Sequence, residues 1–573
     1  MPHNEPLGNV PTRSHFFDLS TEVLVEIFSL LFFTDLFTCK RTCGRFYAVI
    51  SNSILLNYQI ELQKAGMLDN PRCTLPLPIR LEMIRTRELA WASFDSKFTT
   101  EVQVPSHSLE LYDVTAGALF LAKKHLDERF VADGIQSVTL PSKLEDALSP
   151  EWKNFDLRTT ILDFRPAVDE HDLLACLVLV PEEDQPLVYN VHVVLRQYSD
   201  PDSNHSAALK PSIHVYRVMP YEGIPEASVD ISGESLAVVL VFPTSVSETR
   251  NNLFTYNWKT GEHIKRLPIP VFSSPITFLR HDILLQPNVI NNSIHIHQIL
   301  HPLSHSQSSN VAFSFSLGLP SLVEGYRVSS LSFRGEPGPH LLNECPKFTP
   351  TTRPYVHDPK TAIMRLSMQI ASDEDEDDQR HFVMIVHRQA LLDLLKERQS
   401  SNRTSSSRHL SWDSWGPSVT RWLEGEIFLS DFTIDTFGQR CVQLAPPRLG
   451  QYENSPRPGN RIHIFDFNPF YVKRVANGGE MLSLLTKLGL EVYVVQGNFS
   501  FSFGPGGRQE CTEEGVFTET LTGNLPYVEI VRTAWTESEY HGLCIDQERL
   551  VAIETDREAD TGRILSMDVM YFG

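Results

Sequence analysis

The sequence predicts a multidomain α + all-β chain, with a small helical unit at the N-terminus and a large strand-rich remainder. Three observations predict it. Residues 20–50 carry apolar side chains at helical spacing. From about residue 98 the period shortens to that of strands, in short runs bounded by Gly, Pro, Asn, Asp and Ser. And 573 residues with 41% hydrophobic and 10% aromatic side chains are ample apolar material for a packed core.

In chain order, Ser20 is placed to cap a helix, with Glu22 in the first turn, where a negative charge favours the dipole. Leu24, Ile27, Phe28 and Leu31 follow i, i+3, i+4, i+7, one apolar face. Phe32 and Phe33 end that helix, Thr34-Asp35 open a second, and Leu36, Cys39 and Cys43 lie along one side of it. Phe46, Val49 and Ile50 continue into a third. Helices this short hold only a small core by themselves, so the unit is expected to complete its core on a partner or on the rest of the chain.

The string Phe17-Asp18-Leu19-Ser20-Thr21-Glu22-Val23-Leu24-Val25-Glu26-Ile27-Phe28-Ser29-Leu30-Leu31, then Asp35-Leu36, then Thr42-Cys43-Gly44-Arg45-Phe46, resembles an F-box. Leu19, Glu22, Leu24, Ile27, Phe28, Leu31, Asp35, Leu36, Cys43 and Phe46 match the family pattern. Ser20 and Phe33 stand where the family has prolines, and Thr42 where it has Val. The resemblance implies a three-helix unit that docks on the Skp adaptor of SCF ubiquitin ligases, and through it on a cullin. The ten matching residues are the adaptor-binding candidates, with Leu19, Leu24, Ile27, Phe28, Leu31 and Leu36 as the apolar contact. The ordinary alternative is an amphipathic hairpin packed inside this chain. The domain is expected over residues 14–60, behind a disordered stretch at 1–13.

Residues 61–97 read as a helical stalk. Leu55 to Gly66 extends the helical region, with Gly66 as its C-cap. A proline-rich joint follows at Pro71, Pro76 and Pro78, then a helix over Arg80 to Trp91 with Leu81, Ile84 and Trp91 on one stripe. The strings over 56–67 and 75–91, with the strand-rich remainder, are similar to F-box proteins of mushroom-forming fungi.

Residues 98–573 are expected to form a β-propeller-like, target-binding domain, six to eight blades with seven favoured. Radial closure protects the edges of many short strands; a run of unequal sandwiches would satisfy the same pattern. The densest stretch, Ala227 to Leu267, reads strand, turn, strand, loop, strand, tight turn, strand. Its Asn257-Trp258-Lys259-Thr260-Gly261 turn resembles the hairpin of a WD-type blade, with Gly261 at a positive-φ position. Further copies are expected through Arg461 to Pro469 and through Val191 to Tyr198. Tyr198 to Lys210, the acidic run after Ser372 (372–380) and the Ser-rich stretch near 399–410 read as solvated or disordered inserts. A helix is expected just before the last of these, over Gln389 to Lys396.

A net charge of −21 argues against gripping nucleic acid or an anionic membrane. The longest apolar runs, Leu173 to Val180 and Leu236 to Phe242, suit buried strands. Met1 to Val10 has no leader pattern, and the scattered cysteines read as reduced thiols of a cytoplasmic or nuclear protein. No cofactor is expected. His295 and His297 share a strand face without the further ligands of a zinc site, and Gly504, Gly506 and Gly507 lack the lysine of a phosphate loop. Trp412, Trp415 and Trp422 suit either core packing or a recognition surface. No nucleophile or kinase motif is present. The reading is a non-catalytic receptor subunit of an E3 ubiquitin ligase that holds its target near the ubiquitin donor. A plain adaptor-bound scaffold and a propeller enzyme are the alternatives.

Overall fold

The structure, a computed structural model, describes residues 19–104, 108–124, 132–148, 150–243, 251–268, 276–299, 314–339, 345–375, 378–401, 408–424, 434–445, 461–497, 499–502, 516–519, 521–533, 540–556 and 564–573. It begins with helices α1 (Thr21–Ser29), α2 (Phe33–Lys40), α3 (Gly44–Asn52), α4 (Ile54–Ala65) and α5 (Leu77–Ser93). Helix α4 runs without a break across the boundary expected at residue 60. A short strand, Met67–Asp69, precedes the proline joint, and α5 starts earlier than expected, with Pro78 in its first turn, where a proline loses no hydrogen bond.

Seven sheets of four or more strands follow in chain order among the described residues. Sheet I comprises Ser108–Thr115, Ala118–Lys124, Ala132–Thr139 and Trp152–Asp156. Sheet II comprises Thr160–Ala167, Leu173–Glu182, Gln185–Gln197 and Ser212–Val218, and sheet III Glu226–Ser232, Ser235–Val241, Asn252–Asn257 and Glu262–Pro268. Sheet IV comprises Thr277–Arg280, Ile283–Asn288, Ser293–Gln298 and Ser314–Gly318, edged by His409–Leu410. Sheet V takes Tyr326–Arg334, Ile363–Ser372, Gln379–His387 and Thr420–Glu424. Sheet VI takes Thr436–Phe437, Arg440–Ala445, Arg461–Asp466 and Tyr527–Thr533, extended by Glu491–Gln496 and Phe499–Ser502.

Sheet VII closes the ring. Its strands Gly542–Ile545, Arg549–Thr555 and Ile564–Tyr571 are completed by Phe98–Gln103, which comes from the start of the strand-rich region and pairs antiparallel with the last strand of the chain. Each interface between neighbouring sheets has its own apolar cluster. Phe120, Ile135 and Phe155 of sheet I meet Phe164 and Cys176 of sheet II. Leu177 and Val191 meet Val238 and Trp258, and Val239 and Leu253 meet Phe278 and Leu284. The series runs on through sheets IV to VII and returns with Val551 and Val569 against Val114 and Leu119. A face of β-branched and aromatic residues on both sides of a sheet is what such a ring requires, and it makes a propeller-like domain.

The Asn257–Gly261 turn forms as expected. The Asn257 carboxamide oxygen accepts from Lys259 N and Thr260 N at 3.0 and 3.1 Å, and Gly261 has φ 66°. The other two copies do not. Arg461–Asp466 runs into a helix, Pro469–Ala476, capped by Asn468, and the strand through Val191 ends in the long 198–211 connection. That connection is a largely exposed loop, held down by two buried side chains, Tyr198 and His205. The acidic run forms a hairpin tip between two strands of sheet V, where Ser372 Oγ accepts from Glu374 N and Asp375 N. Glu376 and Asp377 lie outside the described residues, as do 402–407, which follow a helix over Arg388–Ser401, longer than the one expected over Gln389 to Lys396.

Candidate partner-docking site

Helices α1 to α4 fold because their apolar residues meet. Leu24, Phe28, Leu36, Phe46, Val49, Ile50, Leu56 and Ile60 form one cluster, with the Phe28 and Phe46 rings edge to face at 5.2 Å. Ser20 caps α1, its hydroxyl accepting from Val23 N at 3.4 Å. Glu22 stays exposed, its carboxyl held below the usual range by hydrogen bonds from its own backbone N–H and from Ser20. Cys43 does not share a helix face with Cys39, because α2 stops at Lys40; its Sγ accepts from Phe46 N as the cap of α3.

This core takes up several of the residues expected at the docking surface. Leu24, Phe28, Leu36 and Phe46 are buried in it, Leu19, Ile27, Leu31 and Cys43 are half-buried, and Glu22 and Asp35 are exposed. A different apolar set faces solvent: Val23, Leu30, Phe32, Phe37 and Tyr47, with Leu30 84% and Phe32 54% exposed. Helical spacing identifies the face that closes the bundle. It misses the exposed set because those residues come from several helices and turns and lie on no single stripe. Large apolar side chains left in water on a small unit mark a contact surface.

The helical unit is anchored to the ring by direct contacts. Met67–Asp69 pairs antiparallel with Tyr355–His357. Asn70 Nδ2 donates to the Arg353 carbonyl at 2.7 Å, and Asn468 Nδ2 to the Lys64 carbonyl at 2.7 Å. On α5, Arg440 bridges Glu88 at 2.7 Å and Asp466 at 2.9 Å. Two glycines allow the approach. Gly66 (φ 66°) is the left-handed cap of α4, and a Cβ there would run into Thr361 and Gln439. A Cβ on Gly438 (φ 60°) would overlap the His357 ring. Gly438→Ala is expected to destabilise the chain by about 1–3 kcal/mol, read as a lower urea midpoint with unchanged slope.

The stalk meets the ring at one end. Its partners at 354–358, 438–440 and 546–549 lie at or beside the turns joining first to second strands of sheets V, VI and VII. In an antiparallel meander successive turns alternate ends. The second-to-third turns and the sheet-to-sheet links therefore face away from the helical unit.

A cluster of ionisable groups lies along the ring axis. Arg165 of sheet II reaches Asp113 of sheet I at 2.9 Å, Asp230 of sheet III at 3.0 Å and Glu336 beside sheet V at 2.6 Å. Asp163 accepts from Phe164 N and, across the sheet boundary, from Val229 N. Asp230 repeats the pattern with Ile231 N and Phe278 N. Each of these carboxylates is taken up by a guanidinium or by backbone N–H groups, so the cluster stitches neighbouring sheets together.

Burial pushes the Asp163 carboxyl up to about 7, against the opposing effect of its two backbone donors. A carboxyl raised above its unfolded value contributes stability that is fully present below the unfolded pKa, about 4, and is lost as pH rises through about 7. The thermal midpoint of the wild type, taken relative to that of Asp163→Asn, is expected to fall as pH rises from about 4 to about 7, whatever the variant's absolute stability. An unchanged difference would refute the assignment.

The other candidates fall out as follows. His295 and His297 meet Asn288 and Gln286, and no group of three or more metal-ligating side chains gathers among the described residues. Trp415 and Trp422 are buried, while Trp412 is half-buried at a surface groove. Gly504 to Gly507 lie outside the described residues.

Residues 18–60 match the F-box-like family model. No curated protein matches the chain. Among solved structures, apo AztD from Citrobacter koseri is 9% identical, with 80% of this chain and 85% of that chain covered at a TM-score of 0.30. A second AztD structure from the same organism is 10% identical over 75% of this chain and 91% of that one, at 0.24. A eukaryotic initiation factor structure is 10% identical over 64% and 85%, at 0.19. Scores this low carry no argument; the fold stands on its own strand pairing.

Proposed function

From the F-box-like domain at residues 18–60, we propose that this chain is the substrate-recognition subunit of an SCF-type cullin ubiquitin ligase. The helical unit docks on the Skp adaptor, and the ring holds a target protein at the end facing away from it. The chain supplies binding energy and orientation, and proximity to the ubiquitin donor does the rest. It performs no bond chemistry of its own and works in the cytoplasm or nucleus.

One observation supports the reading above the others. The helices carrying the family match leave Val23, Leu30, Phe32, Phe37 and Tyr47 in solvent while the remainder of the unit is anchored to the ring. A partner that covers this set completes the domain. Leu24, Phe28, Leu36 and Phe46 then serve the docking surface from beneath, and Leu19, Glu22, Ile27, Leu31, Asp35 and Cys43 lie within reach of the partner.

The test is capture of the full chain by purified Skp adaptor. Leu30→Asp combined with Phe32→Asp places carboxylates on exposed positions, so the fold is kept and a buried contact is lost. Binding is expected to weaken by roughly a hundredfold, from about 1–3 kcal/mol per buried unpaired group. Ile224→Asp, at a 57% exposed position on the ring, is expected to change nothing. Failure of the wild-type chain to bind the adaptor would overturn the proposal.

A further inference from the structure

The groove that holds Trp412 lies where sheets IV and V meet, at the end of the ring away from the helical unit. It is bounded by the second-to-third turn of sheet IV at 289–292 and by the link into sheet V at 319–325. The segment from Val516 on crosses from sheet VI, and its Thr518, Glu519, Leu521 and Thr522 form the far wall. There Val323 N donates to the Val516 carbonyl and Thr518 N to the Ser321 carbonyl, both at 2.9 Å. The volume is about 560 Å³, within the range of sites that enclose a side chain or short peptide.

Its lining has a definite chemistry. Trp412 lies against Trp415 and Trp422 at 5.3 and 5.8 Å, edge to face, with Gly416 beneath the ring, so its indole is held in place. Ile290, 54% exposed, and Leu322 add apolar surface. Asp413 and Glu519 are exposed carboxylates that meet no cation among the described residues. The cation of the groove, Arg327, is neutralised by Asp373 at 3.0 Å. The uncompensated charge is therefore negative, beside a fixed indole face and an apolar floor.

We propose that this groove is the target-binding site of the ring, and that it takes a segment carrying arginine or lysine flanked by apolar residues. The cation of the segment sits between the two carboxylates and over the indole, while its apolar neighbours cover Ile290 and Leu322. The inference rests on the receptor reading above and names the kind of partner that reading requires.

The experiment titrates the full chain into a fluorescein-labelled hexapeptide of alternating leucine and arginine at low salt. Counterparts carry citrulline or glutamate in place of arginine. The arginine peptide is expected to bind at least tenfold tighter than either counterpart. Asp413→Asn with Glu519→Gln is expected to weaken it about fivefold to tenfold, the combined loss of two surface ion pairs. Trp412→Leu, checked by thermal melting, is expected to weaken it about threefold or more through loss of the cation–π contact.

A chain of charge −21 attracts any cationic peptide, so the control removes equal charge elsewhere. Glu183→Gln with Asp184→Asn, exposed at the hairpin tip of sheet II, is expected to leave binding unchanged. Equal loss in the control and groove variants, or no preference for arginine over citrulline, overturns the proposal. Adaptor capture of the same samples separates the two readings. Adaptor binding without arginine preference sinks only the groove assignment, whereas loss of adaptor binding sinks the receptor reading itself.

Discussion

Replacing Arg165 by methionine is expected to lower the folding stability of the ring by about 3–5 kcal/mol, the usual cost of breaking a buried ion pair from one side. Arg165 bridges three carboxylates, Asp113, Asp230 and Glu336, which are 3%, 6% and 3% exposed, and shares the first and last of them with Arg334 at 3.1 and 3.9 Å. They belong to sheets I and III and to the segment after the first strand of sheet V, so one guanidinium joins distant parts of the ring. Without it, three buried carboxylates outnumber the guanidinium that remains beside them, Arg334, in a medium that screens charge poorly. Lysine keeps the charge but not the fork of donors, and Arg165→Lys is expected to recover only part of the loss. The measurement is the urea midpoint near neutral pH. A methionine variant within about 0.5 kcal/mol of wild type, the range of ordinary surface changes, would show that the cluster holds nothing together.

Trp91→Ala carries the second large effect, about 3–5 kcal/mol, as for other buried aromatic truncations. Trp91 is 1% exposed and stacks on Phe572 at 4.0 Å with the planes 16° apart. The Arg440 guanidinium lies over the same indole, 5.3 Å from its centroid. The contact sits at the seam of the ring. Trp91 precedes Phe98–Gln103, and Phe572 follows Ile564–Tyr571, the two strands whose pairing closes sheet VII. Losing the stack loosens the stalk and the closing strand together. Hydrogen exchange is therefore expected to rise in both 67–93 and 98–103, while Asn252–Asn257 in sheet III keeps its protection. Faster exchange in the stalk with none in the closing strand would show that the two are not coupled.

The anchored stalk also decides which experiments are meaningful. Helix α5 buries Ile84 and Trp91, and Trp91 packs in the cluster of sheets VI and VII. A fragment ending near residue 100 would expose that surface, so adaptor binding belongs on the full chain. Likewise a carboxylate at Leu24 would report unfolding of the unit, because that side chain is fully buried in the helical core.

Local spacing determined a good deal by itself. The i, i+3, i+4, i+7 pattern over Leu24 to Leu31, the Ser20 cap, the left-handed Gly66 and the Leu81, Ile84, Trp91 stripe were all legible. So were the strand-rich remainder, the F-box-like resemblance and the turn closed by Gly261, because caps, turns and short periods depend on residues within a few positions of one another. What the tertiary structure decided depends on residues hundreds of positions apart. Phe98–Gln103 pairs with Ile564–Tyr571, Arg165 gathers acids from three other places in the chain, and Met67–Asp69 finds Tyr355–His357. Burial changed roles too. The apolar face of α1 closes its own bundle, leaving Leu30 and Phe32 exposed, and of Trp412, Trp415 and Trp422 it is Trp412 that lines a groove. An apolar residue has no intrinsic tendency to face a partner rather than its own core; which surface water is excluded from is settled only when every element has taken its place.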